Sequence, residues 1–294
     1  MILVIGNLSW ERMVEIDRLP LPNEDVLIKR SEKCPGGAAG NVAATLGLLG
    51  QPVSLVASVG NDDQGHALVR EIETYGVNTS HIRFCNVPTS EFLVTIDARG
   101  NRCFYLNPAE AAFQLRSEIV EELDLSDISG IALVGCKLDL AKRVIEAIGT
   151  KSTTTTVFAN IGFWIARGEL GIDASDFLSH IKCLFANLTE LRMLTQDTLQ
   201  YLMSQTFLGV SRQLVVTDGD KDAMVYTSTG PISVPALRIE HIENTLGCGD
   251  AFMGGYIAGY ARGLSPRDCC EFGHRCAGKI AMLPCERSPA LRLK

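Results

Sequence analysis

Cys34-Pro35-Gly36-Gly37-Ala38-Ala39-Gly40-Asn41-Val42-Ala43 opens a stretch with no charged side chain, which runs through Gly50-Gln51-Pro52 to Val53-Ser54-Leu55-Val56-Ala57-Ser58-Val59 and Asn61. It is long enough to cross a bilayer. Asn41, Thr45 and Gln51 lie within it, however, and Gly50-Gln51-Pro52 interrupts it, so it reads as a helix, a turn and a buried strand. A uniformly apolar strand that directly follows a helix belongs to a parallel sheet covered on both faces.

The same rhythm continues outward. Strands are expected at Ile2-Ile5, Val53-Val59, Phe92-Ile96, Ile131-Val134, Thr155-Ala159, Cys183-Ala186, Leu214-Thr217 and Ala223-Thr227. Helical patterns fall near 39–49, 64–75, 139–148, 197–207, 250–262 and 266–282. This alternation predicts an α/β fold with three layers, a mostly parallel central sheet between helices, and ligands at the carboxyl ends of the strands. Two stretches break the rhythm. Residues 10–33 are extended around Leu19-Pro20-Leu21-Pro22, and 84–106 hold two strands joined by the hairpin signal Asp97-Ala98-Arg99-Gly100-Asn101. Together they predict a small β-lid inserted in one domain spanning 1–294. Thr153–Thr156 is a short β-prone run.

With 294 residues, 46% hydrophobic and 21% charged, the chain has enough apolar side chain for a large core. Its net charge of −7 supplies no bulk positive field, which excludes DNA packaging and binding to anionic membrane surfaces. Met1-Ile2-Leu3-Val4-Ile5, closed by Gly6-Asn7, is too short for a signal segment. The ten cysteines are scattered without a disulfide framework, so the reading is a reduced, cytoplasmic protein. Cys269, Cys270, His274, Cys276 and Cys285 invite a zinc site, although they contain no Cys-x-x-Cys pair.

Chemistry concentrates in Asn244-Thr245-Leu246-Gly247-Cys248-Gly249-Asp250-Ala251-Phe252. Gly247 and Gly249 let backbone N–H groups turn toward a ligand, and the helix that begins there favours an anion at its N-terminus. Asp250, at the helix mouth, is placed to accept a proton from an attacking hydroxyl, although Asp also caps helices there. A second signal, Gly36-Gly37 with Asn41 in the following helical turn, permits close approach of a small polar ligand. It is not a dinucleotide fingerprint, since the third glycine is misplaced.

In order and spacing, Gly36–Asn41, Asn187-Leu188-Thr189-Glu190, Val216-Thr217-Asp218-Gly219 and Gly247–Asp250 resemble the ribokinase/PfkB family of carbohydrate kinases, over essentially the whole chain. The resemblance implies an ATP-dependent phosphotransferase that moves the γ-phosphoryl group to a substrate hydroxyl. Asp250 would be the catalytic base, and Gly247, Cys248 and Gly249 the anion hole. Asn187, Thr217 and Gly219 would bind nucleotide, while Glu190 would hold Mg²⁺ through water. Glu11, Gly36, Gly37 and Asn41 would bind the substrate's hydroxyls, and a homodimer through the lid is a common family arrangement.

Several positions depart from the family pattern. Glu11 stands where Asp is usual. Asn244 replaces an Asp that ligates a monovalent cation in some members, which speaks against a K⁺ site. Asp222, and Glu286 within Pro284-Cys285-Glu286-Arg287, replace glycines, which predicts a reshaped adenine pocket. Pro108-Ala109-Glu110 stands in place of Gly-Ala-Asn. A phosphosugar site wants converging cations, and only Arg99, Arg102 and Lys137 are on offer. Glu11 and Glu110 add negative charge, which favours an unphosphorylated polyhydroxy substrate carrying an amino or other cationic group. Trp10 and Trp164 are candidates to stack on a sugar or base. The alternatives are a nucleoside kinase acting on pseudouridine, adenosine or inosine, and a non-catalytic sugar- or nucleotide-binding regulator.

Overall fold

In the computed structural model, residues 1–151, 155–171, 174–209 and 211–288 are described. The chain opens with β1 (Ile2–Gly6) in the central sheet, then builds β2 (Ser9–Ile16) and β3 (Ile28–Gly36) into a separate small sheet. It returns for β4 (Val53–Gly60) and β5 (Ile82–Cys85), and leaves again for β6 (Glu91–Ile96) and β7 (Arg102–Tyr105). The rest of the central sheet is β8 (Gly130–Val134), β9 (Thr156–Asn160), β10 (Cys183–Asn187), β11 (Gln213–Thr217), β12 (Ala223–Thr227) and β13 (Gly230–Val234).

The central sheet runs β13-β12-β11-β10-β9-β8-β1-β4-β5, parallel from β11 to β5, with β12 and β13 added antiparallel at one edge. Two apolar cores lie on its two faces. One face carries the helices Ala38–Leu48, Cys248–Ala261 and Pro266–Ala281, and the other carries Leu138–Lys151 with several short helices. Small residues set the helix spacing on the first face. A Cβ on Gly254 would meet Thr45 Cβ at 2.7 Å, so this approach needs glycine.

The small sheet, β3-β2-β6-β7, is the lid. It begins one residue before the expected 10–33 and extends past it to Gly36, so Cys34 and Pro35 are strand residues. Its second half starts at Glu91, because β5 joins the edge of the central sheet instead. Strand β13 follows a tight turn after β12 and was not expected. The helix expected over 197–207 breaks at Ser204, whose hydroxyl caps the next short helix. Of the Thr153–Thr156 run, 153 and 154 lie outside the described residues.

The cysteines correct one reading. Cys34 of β3 is bonded to Cys285, which follows the last helix, with 5.7 Å between their Cα atoms. The other eight cysteines are free. Cys269, Cys270 and Cys276 are buried in the core, and His274 is buried with Nε2 3.3 Å from the carbonyl of Val234. Among the described residues, no group of three or more His, Cys, Asp or Glu is able to hold a metal ion. No described helix is long and apolar enough to cross a membrane.

Candidate active site

Asp250 lies half-buried in the first turn of the helix Cys248–Ala261. Gly247 precedes that helix with φ 73°, and a Cβ there would come 2.8 Å from Glu286 Cβ, so both backbone and space require glycine. No side chain caps this helix end, which leaves the N–H groups of its first turn, at the positive end of the dipole, for a ligand. No atom stands within 4 Å of where a Cβ on Gly249 would lie, so the loop faces open space. Burial pushes the Cys248 thiol up to about 11, so the residue's anion-binding capacity resides in its backbone.

Asn41 organises the acceptor side. Its Nδ2 donates to Asp250 Oδ2 at 2.9 Å and also to Glu286 Oε2, while its Oδ1 accepts from Arg287 Nη1 at 2.8 Å. Arg287 is 3% exposed. It binds Glu71 through Nε and Nη2 and the Gly36 carbonyl through Nη1, so the segment after the last helix is tied to β3 and to helix Asp63–Glu73. Glu11, 6% exposed, accepts the N–H of Gly37 at 3.2 Å. A Cβ on Gly36 would come 2.5 Å from Glu11 Cγ, so Gly36 makes room for that carboxylate.

Burial and charge crowding raise the Asp250 carboxyl. Burial, with the nearby carboxylates of Glu11 and Glu190, pushes the Asp250 carboxyl up to about 7, while the Asn41 bond and Arg287 pull it down. Burial and the adjoining carboxyls of Glu11 and Asp250 push Glu286 well above the ordinary range. A carboxyl near 7 is well matched to accepting a proton at neutral pH.

The candidate nucleotide side is built locally. Asn187 ends β10 beside Thr217 at the end of β11, its partner in register. The Asn187 side chain accepts from the Glu190 N–H, and Glu190 Oε2 accepts from the Asn187 N–H, both at 2.8 Å: a closed capping box. Burial raises the Glu190 carboxyl. Gly219 turns the chain after β11 with φ 62° and open space around it. Glu190 stands over Gly162, where a Cβ would come 2.2 Å from Oε1. With one oxygen of Glu190 in the capping box, the residue is suited to a hydrated Mg²⁺ held mainly by phosphate oxygens.

Other sequence candidates have structural duties. Trp164 is 1% exposed and donates to the Cys136 carbonyl at 2.7 Å, so it belongs to the core. Trp10 sits at the lid base, with Nε1 3.2 Å from the Gln64 carbonyl and Lys33 over its ring. Glu110 accepts from the Glu91 N–H and the Asn107 side chain. Arg99 and Lys137 are exposed, whereas Arg102 is half-buried and lines a cleft under the lid with Met13, Ile96, Asn244 and Thr245. Asn244 Oδ1 accepts the Leu246 N–H at 2.9 Å and shapes the loop before Gly247.

Sequence reasoning misplaced Glu286 and Arg287, which were expected at the adenine pocket. They pack instead against Asn41, Asp250 and Glu11 on the acceptor side. Glu71 was missed altogether. The available signal was a Glu-Arg pair just after an amphipathic helix, and it carried no information on which distant residues it would meet.

The family model described as pfkB family carbohydrate kinase matches residues 1–282. The ATP-dependent ribose-1-phosphate kinase of Halopiger xanaduensis is 27% identical over 283 residues, covering 95% of this chain and 91% of that protein. Among solved structures, adenosine kinase from Sinorhizobium meliloti aligns with a TM-score of 0.84 at 19% identity, covering 99% of this chain and 96% of that one. Arabidopsis thaliana ribokinase complexed with ribose and ATP aligns at 0.75 with 21% identity, covering 96% and 92%. At such identities the two structures speak for the fold alone, a ribokinase-like α/β architecture.

Proposed function

The chain belongs to the pfkB family of carbohydrate kinases, and from that premise we propose that it transfers the γ-phosphoryl group of ATP to a hydroxyl of a sugar-like substrate with Asp250 as catalytic base. It is a sugar or nucleoside kinase, a phosphotransferase with an alcohol acceptor. The observation that carries the mechanism is the half-buried Asp250, oriented by Asn41 at 2.9 Å and set in the uncapped first turn behind Gly247.

In this mechanism Asp250 takes the hydroxyl proton while the substrate oxygen bonds to the γ-phosphorus. The bond from that phosphorus to the β–γ bridging oxygen breaks, and ADP leaves with the electron pair. Backbone N–H groups of 247–249 stabilise the charge on the transferring group. Thr217 and Gly219 contact the nucleotide, Asn187 and Glu190 orient its phosphates, and Glu11, Gly36 and Gly37 line the acceptor site. Mg²⁺, when bound, neutralises phosphate charge near Glu190. The lid excludes water, so that ATP is not hydrolysed.

The eight free thiols support a cytoplasmic location, while the Cys34–Cys285 bond counts against it. Lid strand β7 ends its sheet with Phe104 and Tyr105 exposed, which supports a homodimer that covers this edge; a monomer in solution scattering would rule that out.

The test is ADP release with Mg-ATP against free sugars, amino sugars, sugar phosphates and nucleosides, beside Asp250→Asn. One strong substrate, lost in the variant while ATP still binds, is the expected result. Activity retained in the variant removes Asp250 from its role. No ATP binding and no turnover would turn the reading to a non-catalytic regulator.

A further inference from the structure

Glu11 and Glu286, from opposite ends of the chain, meet beside Asp250. Each has one carboxylate oxygen in use: Glu11 Oε1 accepts the Gly37 N–H, and Glu286 Oε2 accepts Asn41 Nδ2. The remaining oxygens, Glu11 Oε2 and Glu286 Oε1, are shut off from solvent and have no hydrogen-bond partner, in side chains 6% and 3% exposed. Leaving a buried acceptor unpaired is unfavourable, and more so for a charged one. Two together, from carboxyls that otherwise meet only each other, make a place suited to a donor from outside the chain.

The two carboxyls face each other, a contact that favours the protonated form of Glu286, and the neighbouring cations are directed elsewhere. Arg287 directs its guanidinium to Glu71, the Gly36 carbonyl and Asn41 Oδ1. Arg102 of β7 contributes positive field toward Glu286 from the lid, without a hydrogen bond to either free oxygen. Glu11, Asp250 and Glu286 do not form a group able to hold a metal ion. The place calls for a hydrogen-bonding cation.

We propose that the free oxygens of Glu11 and Glu286 receive a protonated nitrogen of the substrate, so that the phosphoryl acceptor is an amino-bearing sugar or polyol. This rests on the kinase reading and names its substrate class. An ammonium brings three donors, enough for both oxygens, through charge-assisted bonds. A single hydroxyl donates one hydrogen and leaves the second oxygen unpaired. The substrate's charge also acts on the chemistry. A cation docked among these carboxyls favours the ionised form of Asp250, so the base is ready when the right substrate is bound. A sugar phosphate would bring a dianion against the same pair.

The experiment measures ADP release with Mg-ATP for matched pairs: glucosamine against glucose, galactosamine against galactose, mannosamine against mannose and fructosamine against fructose. Wild type, Glu11→Gln and Glu286→Gln are compared, with the Cys34–Cys285 bond oxidised and reduced because it pins the lid to the segment carrying Glu286. The expected result is an amine preference in kcat/KM of about 100-fold or more in at least one pair, collapsing toward unity in both variants while ATP affinity holds. A second readout is independent of turnover: Glu286→Gln melts higher than wild type at pH 8, because a crowded buried carboxylate is gone. Preference for the neutral member, or turnover of no amine while ATP binds, overturns the substrate class and leaves the kinase reading standing. A lower melting temperature in Glu286→Gln overturns it as well, since the carboxylate would then be serving the fold. Loss of ATP binding in wild type would instead strike the kinase reading.

Discussion

The two halves of the site are held together by opposite means. On the nucleotide side, Asn187 and Glu190 are three residues apart and satisfy each other. On the acceptor side, the bonds from Asn41 to Asp250 and from Arg287 to Asn41 span 209 and 246 positions, and none forms before the fold is complete. The local half is self-supporting and suits a cosubstrate common to many kinases. The long-range half can change its chemistry through one residue of a terminal segment without disturbing the nucleotide, which is where specificity is expected to vary.

Substitutions sharpen this contrast in descending order. Asp250→Asn should lower kcat by about 10³-fold while calorimetry finds ATP affinity nearly unchanged, because only the proton acceptor is removed. Replacing both Cys34 and Cys285 by Ser should cost up to about 5 kcal/mol of unfolding free energy relative to the oxidised protein, and little relative to the reduced one. Equal loss from a nucleotide-side substitution would break the contrast.

Acidity gives a third test. Asp250 must be unprotonated to act, so kcat/KM should rise with pH through about 7 and level off above it. Asn41→Ala removes a donor that favours the carboxylate, so the midpoint should move to higher pH. A midpoint that stays put would mean Asn41 does not orient the base. The smallest effect belongs to the local half: Asn187→Ala should cost about 1 kcal/mol of stability by thermal melting and raise the KM for ATP, with selectivity between acceptors unchanged.

What could be read in advance follows the same divide. Central strands such as Val53–Gly60 announce themselves because burial on both faces demands uncharged, mostly apolar runs. Asn187–Glu190 and Gly247–Asp250 are legible because a turn or helix start dictates residue types over a few positions. Strand β5 escaped, and the expected lid boundary at 84 cut into it, because the four residues Ile82-Arg83-Phe84-Cys85 form no apolar run. Strand β13 escaped because Gly230 and Pro231 read as a turn. The roles of Glu286, Arg287 and Glu71, and the pairing of Cys34 with Cys285, depend on residues more than 200 positions away, and no local pattern encodes such partners. Glu110 and Trp164 were chosen for their chemistry, but local bonding and core packing had already claimed them.

The Cys34–Cys285 bond also changes the covalent topology of the molecule. Its partners are 251 positions apart, so almost the whole kinase lies inside one closed ring. A protease that cuts once at the exposed lid tip, near Arg99 and Gly100, therefore linearises the oxidised chain rather than dividing it. The nicked protein should run as one band on a non-reducing gel and as two once a thiol is added.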